Sequence, residues 1–482
     1  MPTHTAILAA DERLADTDIR EAVLRLFKLK KGVSARLLEV SCREGIVELT
    51  GFTDSLLSRE RAEDMAKAVR GVRGVINEIS IHTPDLPDAE LQRRVELALL
   101  QDPATCGYPV HCHAHDGEIT VEGTLQSWAE EQLVLQVLSS VPGVRELNNR
   151  LRVGQTGPKN TDQQITTQIQ EFLAWDIRVK SALVKVRTHE GVVHLSGMVG
   201  TAAEHDHVVA TAYVAGATRV DAHNLYVDHW AQDKELRQEK FAPKADADVA
   251  QAIRDVLRFD PRVEDEAVKV HVRDGVVTLL GDVSNLRARH AAGQDAANVV
   301  GVGVVHNLLQ VRVLHPSPDA SIRERVQAAL TNDAYLSRFH FSVEVTEGRA
   351  SLRGTVDSHF EQERAEEVAS GVSGVVDVVN FVQLFAAVLD PVAPKLSVEE
   401  AGHSAAPLGR VAPDDQLEQR IRTHFYWSAR LHDQDIDISV RNGRVSLTGT
   451  VDTWVDRRQA AAEAYACGAL DVNNHLHLPA PR

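Results

Sequence analysis

The sequence predicts an α+β protein built as a tandem repeat of six small α-β-β-α-β units, each a three-stranded sheet with two helices on one face. Three observations predict it. A pair of glycines six residues apart recurs six times, as Gly45/Gly51, Gly117/Gly123, Gly191/Gly197, Gly275/Gly281, Gly348/Gly354 and Gly443/Gly449. A third glycine follows the first of each pair by 25 or 26 positions, at Gly71, Gly143, Gly216, Gly301, Gly374 and Gly468. Ahead of each pair runs the pattern Asp-x-x-apolar-x3-apolar-x3-apolar, for example Asp16/Ile19/Val23/Phe27 and Asp414/Leu417/Ile421/Phe425. A pattern this long, present six times at near-constant spacing, marks a repeat architecture.

Each element follows from local chemistry. The i, i+4, i+8 stripe gives the first helix one apolar face, and the Asp before it reads as an N-cap acceptor. The first strand alternates with period two: Ile436, Ile438 and Val440 face inward, while Asp437, Ser439 and Arg441 face outward. Asn442-Gly443 makes the hairpin turn, where glycine accepts a positive φ without a Cβ penalty. The same parity puts Gly449 on the buried face, which predicts a helix backbone passing close over the sheet. Charge and alanine content from Ser58 to Ala66 read as a short second helix, ended by Gly71 as a C-cap. The third strand carries an Asn at 77, 149, 307, 380 and 474; the third copy departs, with Ala222 there and a shifted ending.

The periods place the units at 16–81, 87–153, 161–228, 245–312, 318–384 and 413–478. A charged linker occupies 229–244. A Pro/Ala-rich linker occupies 385–412, and such a segment is extended. It predicts a sixth unit that moves independently or docks on a partner.

With 482 residues, 43% of them apolar and 25% charged, the chain is too long for one core and too ordinary in composition for disorder. The formal charge of −17 argues against a nucleic-acid binder, which needs a net basic face. No apolar run approaches the roughly 18 residues of a transmembrane helix. The start has only a five-residue apolar stretch, Ala6 to Ala10, short of the about 7–15 residues of a secretory signal. The expectation is a cytoplasmic protein without a transmembrane segment.

Candidate chemistry is sparse. On the strand Val110–His115, His111, His113 and His115 share the open sheet face, and residues two apart on a strand are about 7 Å apart. Two imidazoles at that distance suit a transition metal, although Cys112 points the other way. A solvated polar strand is the alternative reading. Lys28, Lys30, Lys31 and Arg36 form a basic patch at the end of the first helix, a candidate contact for an anionic surface. They also read as cations complementing the helix dipole. The four cysteines, at 42, 106, 112 and 467, are too few and scattered for a disulfide framework, and Cys42, Cys112 and Cys467 read as packed thiols. Phe172 and Trp175, and likewise Phe425, Tyr426 and Trp427, close a small core or, where a ring lies outside it, anchor a partner. No phosphate loop, dinucleotide fingerprint, nucleophile elbow or zincin motif occurs, so neither a catalytic centre nor a cofactor is expected.

The run dG-x-V-x-L-x-G-x-V, an Ala-rich helix and GV-x-x-V-x-N-x-L-x-V resembles the BON domain, named from bacterial osmotically induced and nodulation proteins. The resemblance covers about 400 of the 482 residues. It implies bacterial, non-enzymatic binding modules associated with phospholipid surfaces and with envelope or osmotic stress, and one cytoplasmic relative that binds potassium. Six linked copies raise avidity through effective concentration. The expected function is therefore a stress-associated, multivalent scaffold that binds itself or another protein. Phospholipid binding at the envelope and potassium binding or sensing are the alternatives.

Overall fold

A computed structural model describes residues 14–30, 33, 37–83, 85–154, 160–232, 240–241, 244–313, 317–385 and 413–478. Six times the chain runs through a 14-residue first helix, a two-stranded hairpin, a second helix of 12 or 13 residues and a third strand. The first helices are Asp16–Leu29, Asp88–Gln101, Asp162–Trp175, Asp246–Phe259, Asp319–Asn332 and Asp414–Trp427. The second helices are Leu56–Lys67, Trp128–Ser139, Ala202–Val214, Leu286–Ala297, His359–Ser370 and Trp454–Ala466. In every sheet the middle strand pairs antiparallel with the first and parallel with the third, as in Val40↔Leu49 and Leu49↔Asn77. Parallel neighbours require a crossover, and the second helix supplies it. Each unit has its own core: in the first, Val23, Val47, Leu49, Ala62 and Ala66 are wholly buried between the two helices and the sheet.

The repeated Asp does something other than cap. It stands inside the first turn, and the cap position holds Ala15, Pro87, Thr161, Ala245, Pro318 or Pro413. Its carboxylate reaches 28 and 29 residues ahead to the hairpin. Asp16 accepts from Glu44 N–H at 2.8 Å and Gly45 N–H at 2.9 Å. Asp162, Asp246, Asp319 and Asp414 do the same in their units, while Asp88 accepts from Asp116 N–H only. The turn needs this support, because its first residue has a positive φ without being glycine: Glu44 is at 55° and Asn442 at 53°. That conformation costs about 1 kcal/mol, and charge-assisted bonds of this kind offset it. The backbone N–H groups of Gly45 and Glu44 hold the Asp16 carboxyl below its ordinary range.

The second glycine also has a different cause from the expected one. A Cβ on Gly51 would fall 2.0 Å from the carbonyl oxygen of Leu37, and one on Gly449 2.1 Å from that of Asp435. The crowding group is the backbone entering the neighbouring strand, not a helix above the sheet. The second helix begins earlier than the charge pattern indicates, at Leu56, because Ser55 caps it by accepting from Ser58 N–H. Ser127, Thr201, Asn285 and Thr453 cap their helices in the same way. The third-strand Asn ties that strand to the second helix: Asn307 Nδ2 donates to the Arg289 carbonyl, and Asn474 Nδ2 to that of Arg457. The third unit lacks this Asn and carries a register shift between His194 and Ser196 instead.

The six units do not lie along a string. Units one to three close a ring through their second helices. Leu56 of the first enters the core of the second, Trp128 of the second stacks on Tyr213 of the third at 5.6 Å, and Lys67 of the first pairs with Asp206 of the third at 2.6 Å. Units four to six repeat the pattern, with Leu286 in the core of the fifth, His359 against Tyr465, and Leu478 beside Gly303. The rings pack on each other through the pairs one with six and three with four, while unit two meets unit four at Asp102–Arg287 and unit five meets unit one at Tyr335–Ser58. The sixth unit is thus not independent. Arg70 N–H donates to the Trp427 carbonyl at 2.9 Å, Val69 bridges Ser428, and Lys30 pairs with Glu463 at 2.7 Å. In the three–four pair, Val300 N–H donates to the Trp175 carbonyl at 2.8 Å and Ile177 N–H to that of Asn298 at 3.0 Å. The expected linkers fall partly or wholly among residues 233–239, 242–243 and 386–412, outside the described ones.

Two outcomes follow from these contacts. Asp16→Ala is expected to lower the local opening free energy of the first hairpin by about 2 kcal/mol, so amide exchange at Glu44 and Gly45 quickens about thirtyfold. Burial alone would raise the Glu463 carboxyl, but the His424 hydrogen bond and the Lys30 ammonium outweigh it and hold it at about 2. Of these partners only Lys30 lies across the junction, so the Lys30–Glu463 pair stabilises docking above the carboxyl's ordinary 4.5 and loses that contribution as pH falls toward 2. After cleavage at a protease site inserted within 390–412, the sixth unit is expected to co-elute with the rest at pH 7. It should separate on acidification, and earlier in Lys30→Ala.

Candidate functional site

The three histidines of the second unit lie exposed on the open face of its sheet, paired in register with Glu122, Thr120 and Glu118, and Cys112 is buried on the opposite face. They do not converge. His115 turns to Asp88 and Asp116, at 3.5 and 3.8 Å, and among the described residues Asp88, His115 and Asp116 are the group whose ligand atoms lie within 4.8 Å of one another. The basic patch is likewise dispersed. Lys28 is exposed, Lys30 is engaged with Glu463, and Lys31 and Arg36 lie outside the described residues. Burial pushes the thiols of Cys42, Cys112 and Cys467 up to about 12, 11 and 12, away from thiolate chemistry. Cys106 is exposed.

Surface that no single unit offers appears where units meet. Four aromatic side chains surround a cavity of about 380 Å³ between units two, three and four. Trp128 and Gln136 come from the second helix of unit two, and Phe172 and Trp175 from the end of the first helix of unit three. Val256 and Phe259 come from the matching helix of unit four. Phe172 and Phe259 meet edge to face at 5.1 Å across the pair. The first-helix aromatics therefore act mainly between units: Phe425 closes the core of the sixth, while Trp427 and Trp175 pack against the cores of units one and four.

The floor of this cavity carries charge. At the ends of the two first helices stand Asp176-x-Arg178 and Asp260-x-Arg262, each folding back on itself. The Asp accepts from the backbone N–H two residues on, at 2.8 and 2.9 Å, and from the guanidinium of the same Arg through Nε and Nη2. Asp176 also bonds His207 Nε2 at 2.7 Å. Burial works against the Asp176 carboxylate, but His207 and Arg178 keep it well below the usual range. A third carboxyl, Asp295 from the second helix of unit four, has no cation of its own. Burial and the neighbouring Asp260 raise it well above the usual range, and it hydrogen-bonds Asp260. Two acids so close share a proton, and Asp260, gripped by Arg262, stays the ionised one. Oδ2 of Asp295 is closed off from solvent with no hydrogen-bond partner. The sequence signal for the site was the Asp-x-Arg pair at 176–178 and 260–262 beside helix-end aromatics. Asp295 had none, because nothing in the sequence reveals what faces it.

A second junction, between the first helices of units two and five, has the opposite character. Arg93, Arg94, Arg287, Arg325 and Arg364 line it with Glu90, Asp102, Asp333 and Glu367. Arg287 of unit four pairs with Asp102 of unit two, while Arg364 and Asp333 pair within unit five.

The sequence profile of the BON domain matches residues 15–83, 87–155, 161–226, 245–313, 318–384 and 413–480. Osmotically-inducible protein Y of Escherichia coli (strain K12) is 30% identical over 141 residues, 28% of this chain and 70% of that protein. Two solved structures of CdsD, titled a structural protein of the type III secretion system of Chlamydia trachomatis, align with 48% of this chain and with 96% and 100% of their own. Their identities are 15% and 14% and the TM-score is 0.13, too low to carry any argument. No helix among the described residues is long and apolar enough to cross a membrane.

Thiol labelling of the native chain at neutral pH is expected to modify Cys106 and to spare Cys42, Cys112 and Cys467 until unfolding. Peptide mass spectrometry reads the difference.

Proposed function

The chain belongs to the BON-domain family, and from that premise we propose that it is a non-enzymatic, stress-associated binding protein of the bacterial cytoplasm. Its six units bind one another first, and its ligand site lies where they join. The observation that carries this reading is the cavity of units two, three and four, an apolar pocket on which a few polar groups, Asp176, Asp260, Asp295 and His207, converge. Ligand sites have this character. The osmotic induction named for the Escherichia coli relative supports the stress association. Contacts between sister units, such as Trp128 on Tyr213 and Leu286 in the core of unit five, support a reading in which the units associate within one chain.

A phospholipid surface is the second reading. It rests on Ile46, Phe52 and Ile76, which stand exposed on the open sheet face of the first unit. Potassium binding has no comparable observation in its favour.

The closed assembly predicts a monomer of 52.9 kDa with a radius of gyration of about 23 Å, independent of concentration, by light scattering and small-angle X-ray scattering. A neutral ring compound such as indole is expected to raise the melting temperature, and Trp175→Ala to abolish the gain. An elongated particle would overturn the closed assembly, and no response to indole would overturn the junction site. Flotation with vesicles that is lost in Phe52→Ser would favour the lipid reading instead.

A further inference from the structure

We propose that the cavity between units two, three and four binds an organic monocation, an ammonium carried on a flat apolar body. The inference rests on the reading of that cavity as a ligand site and adds the chemistry of its ligand. Three features on different units support it.

The first is shape and polarity. Trp128, Phe172, Trp175 and Phe259 surround a volume of about 380 Å³, with Val256 and Val299 between them. Ring faces attract a cation through their quadrupoles while burying an apolar body. The second is charge balance. Asp176 and Asp260 are each matched by their own guanidinium, Arg178 and Arg262, and His207 adds a further hydrogen bond to Asp176. Asp295 is the remaining carboxyl, and no cation is paired with it among the described residues. The third is access. Asp295 lines the cavity and is only half-buried, although its Oδ2 is sealed from solvent, so the side chain stands within reach of a ligand N–H.

The exchange balances. Free, the site holds Asp295 as a carboxylic acid, its proton shared with Asp260. An arriving R–NH3⁺ takes the place of that proton, which leaves to solvent, and Asp295 becomes the carboxylate partner of the ammonium. No covalent bond to carbon forms or breaks. Binding therefore releases one proton wherever Asp295 is protonated in the free protein. In that range affinity rises about tenfold per pH unit, levelling off once Asp295 is ionised without ligand. An anion gains nothing here, since both guanidinium groups are committed to their own aspartates.

The test is calorimetric titration of the full chain with 2-phenylethylammonium, using 2-phenylethanol as the neutral isostere and 3-phenylpropanoate as the anion. It is run at several pH values, each in two buffers of different ionisation enthalpy. The expected result is 1:1 binding of the amine at least tenfold tighter than the alcohol, near one proton released per ligand at the acidic end, and no binding of the anion. Asp295→Asn keeps the size and neutrality of the free-state acid and should fold. In it the amine's advantage, the pH slope and the proton release should vanish while alcohol binding survives. Trp128→Leu, on a different unit, should weaken amine and alcohol together. Equal binding of amine and alcohol, or a wild-type titration with no proton release, overturns the inference and leaves the cavity a ligand site. Failure of amine, alcohol and indole alike overturns the site itself.

Discussion

The bond from the first-turn aspartate to the hairpin is the constraint on which the rest of this fold depends. A 14-residue helix and a six-residue glycine spacing make two elements, but nothing in either fixes their angle. The carboxylate of Asp16 does so by gripping two N–H groups of the turn at Glu44 and Gly45. It pins the helix across the sheet and pays for a left-handed backbone at a glutamate. With the helix fixed, the second glycine lets the first strand enter close beside the second, and the third-strand Asn ties the crossover helix down. Five units keep the double grip and the second keeps half of it, where Asp88 also faces His115.

Units of this size are marginal alone. A domain near 60 residues buries only about 60% of its unfolded surface, and the second helices here are short. Their first residues therefore work outward. Leu56 and Leu286 complete the cores of neighbours, and Trp128 and His359 lie against rings of neighbours. Docking turns six weak cores into one cooperative body. The backbone bridges at Val69–Ser428 and Asp176–Val299 then add hydrogen bonds that stay shielded from water.

The cavity arises from divergence inside this repetition. At the pair of units one and six the junction is closed by Trp427, Lys30 and Glu463. Between two and five it is lined with arginines and carboxylates, and Arg287 of unit four reaches in to Asp102. At three and four the same position holds aromatic rings over a carboxyl pair, with Trp128 of the second unit as the near wall. One scaffold thus meets three side-chain sets, and the set of aromatic rings beside half-buried carboxyls is the one suited to a ligand.

The number of units, their order of elements and the inward positions of their strands were legible in the sequence, because helix and strand periods and obligatory glycines are local properties. The function of the aspartate was not. A residue 28 positions from its partner carries no mark distinguishing a cap from a clamp. Nor was the crowding at Gly449, since parity names a face and not the atom that presses on it. Tertiary structure alone decided that Lys30 joins units instead of forming a patch, and that His111, His113 and His115 spread along an open face. It alone brought Asp295 to Asp260 at a meeting of three units. Contacts between repeats depend on surface shape summed over several elements, and no periodicity in one chain segment encodes that sum.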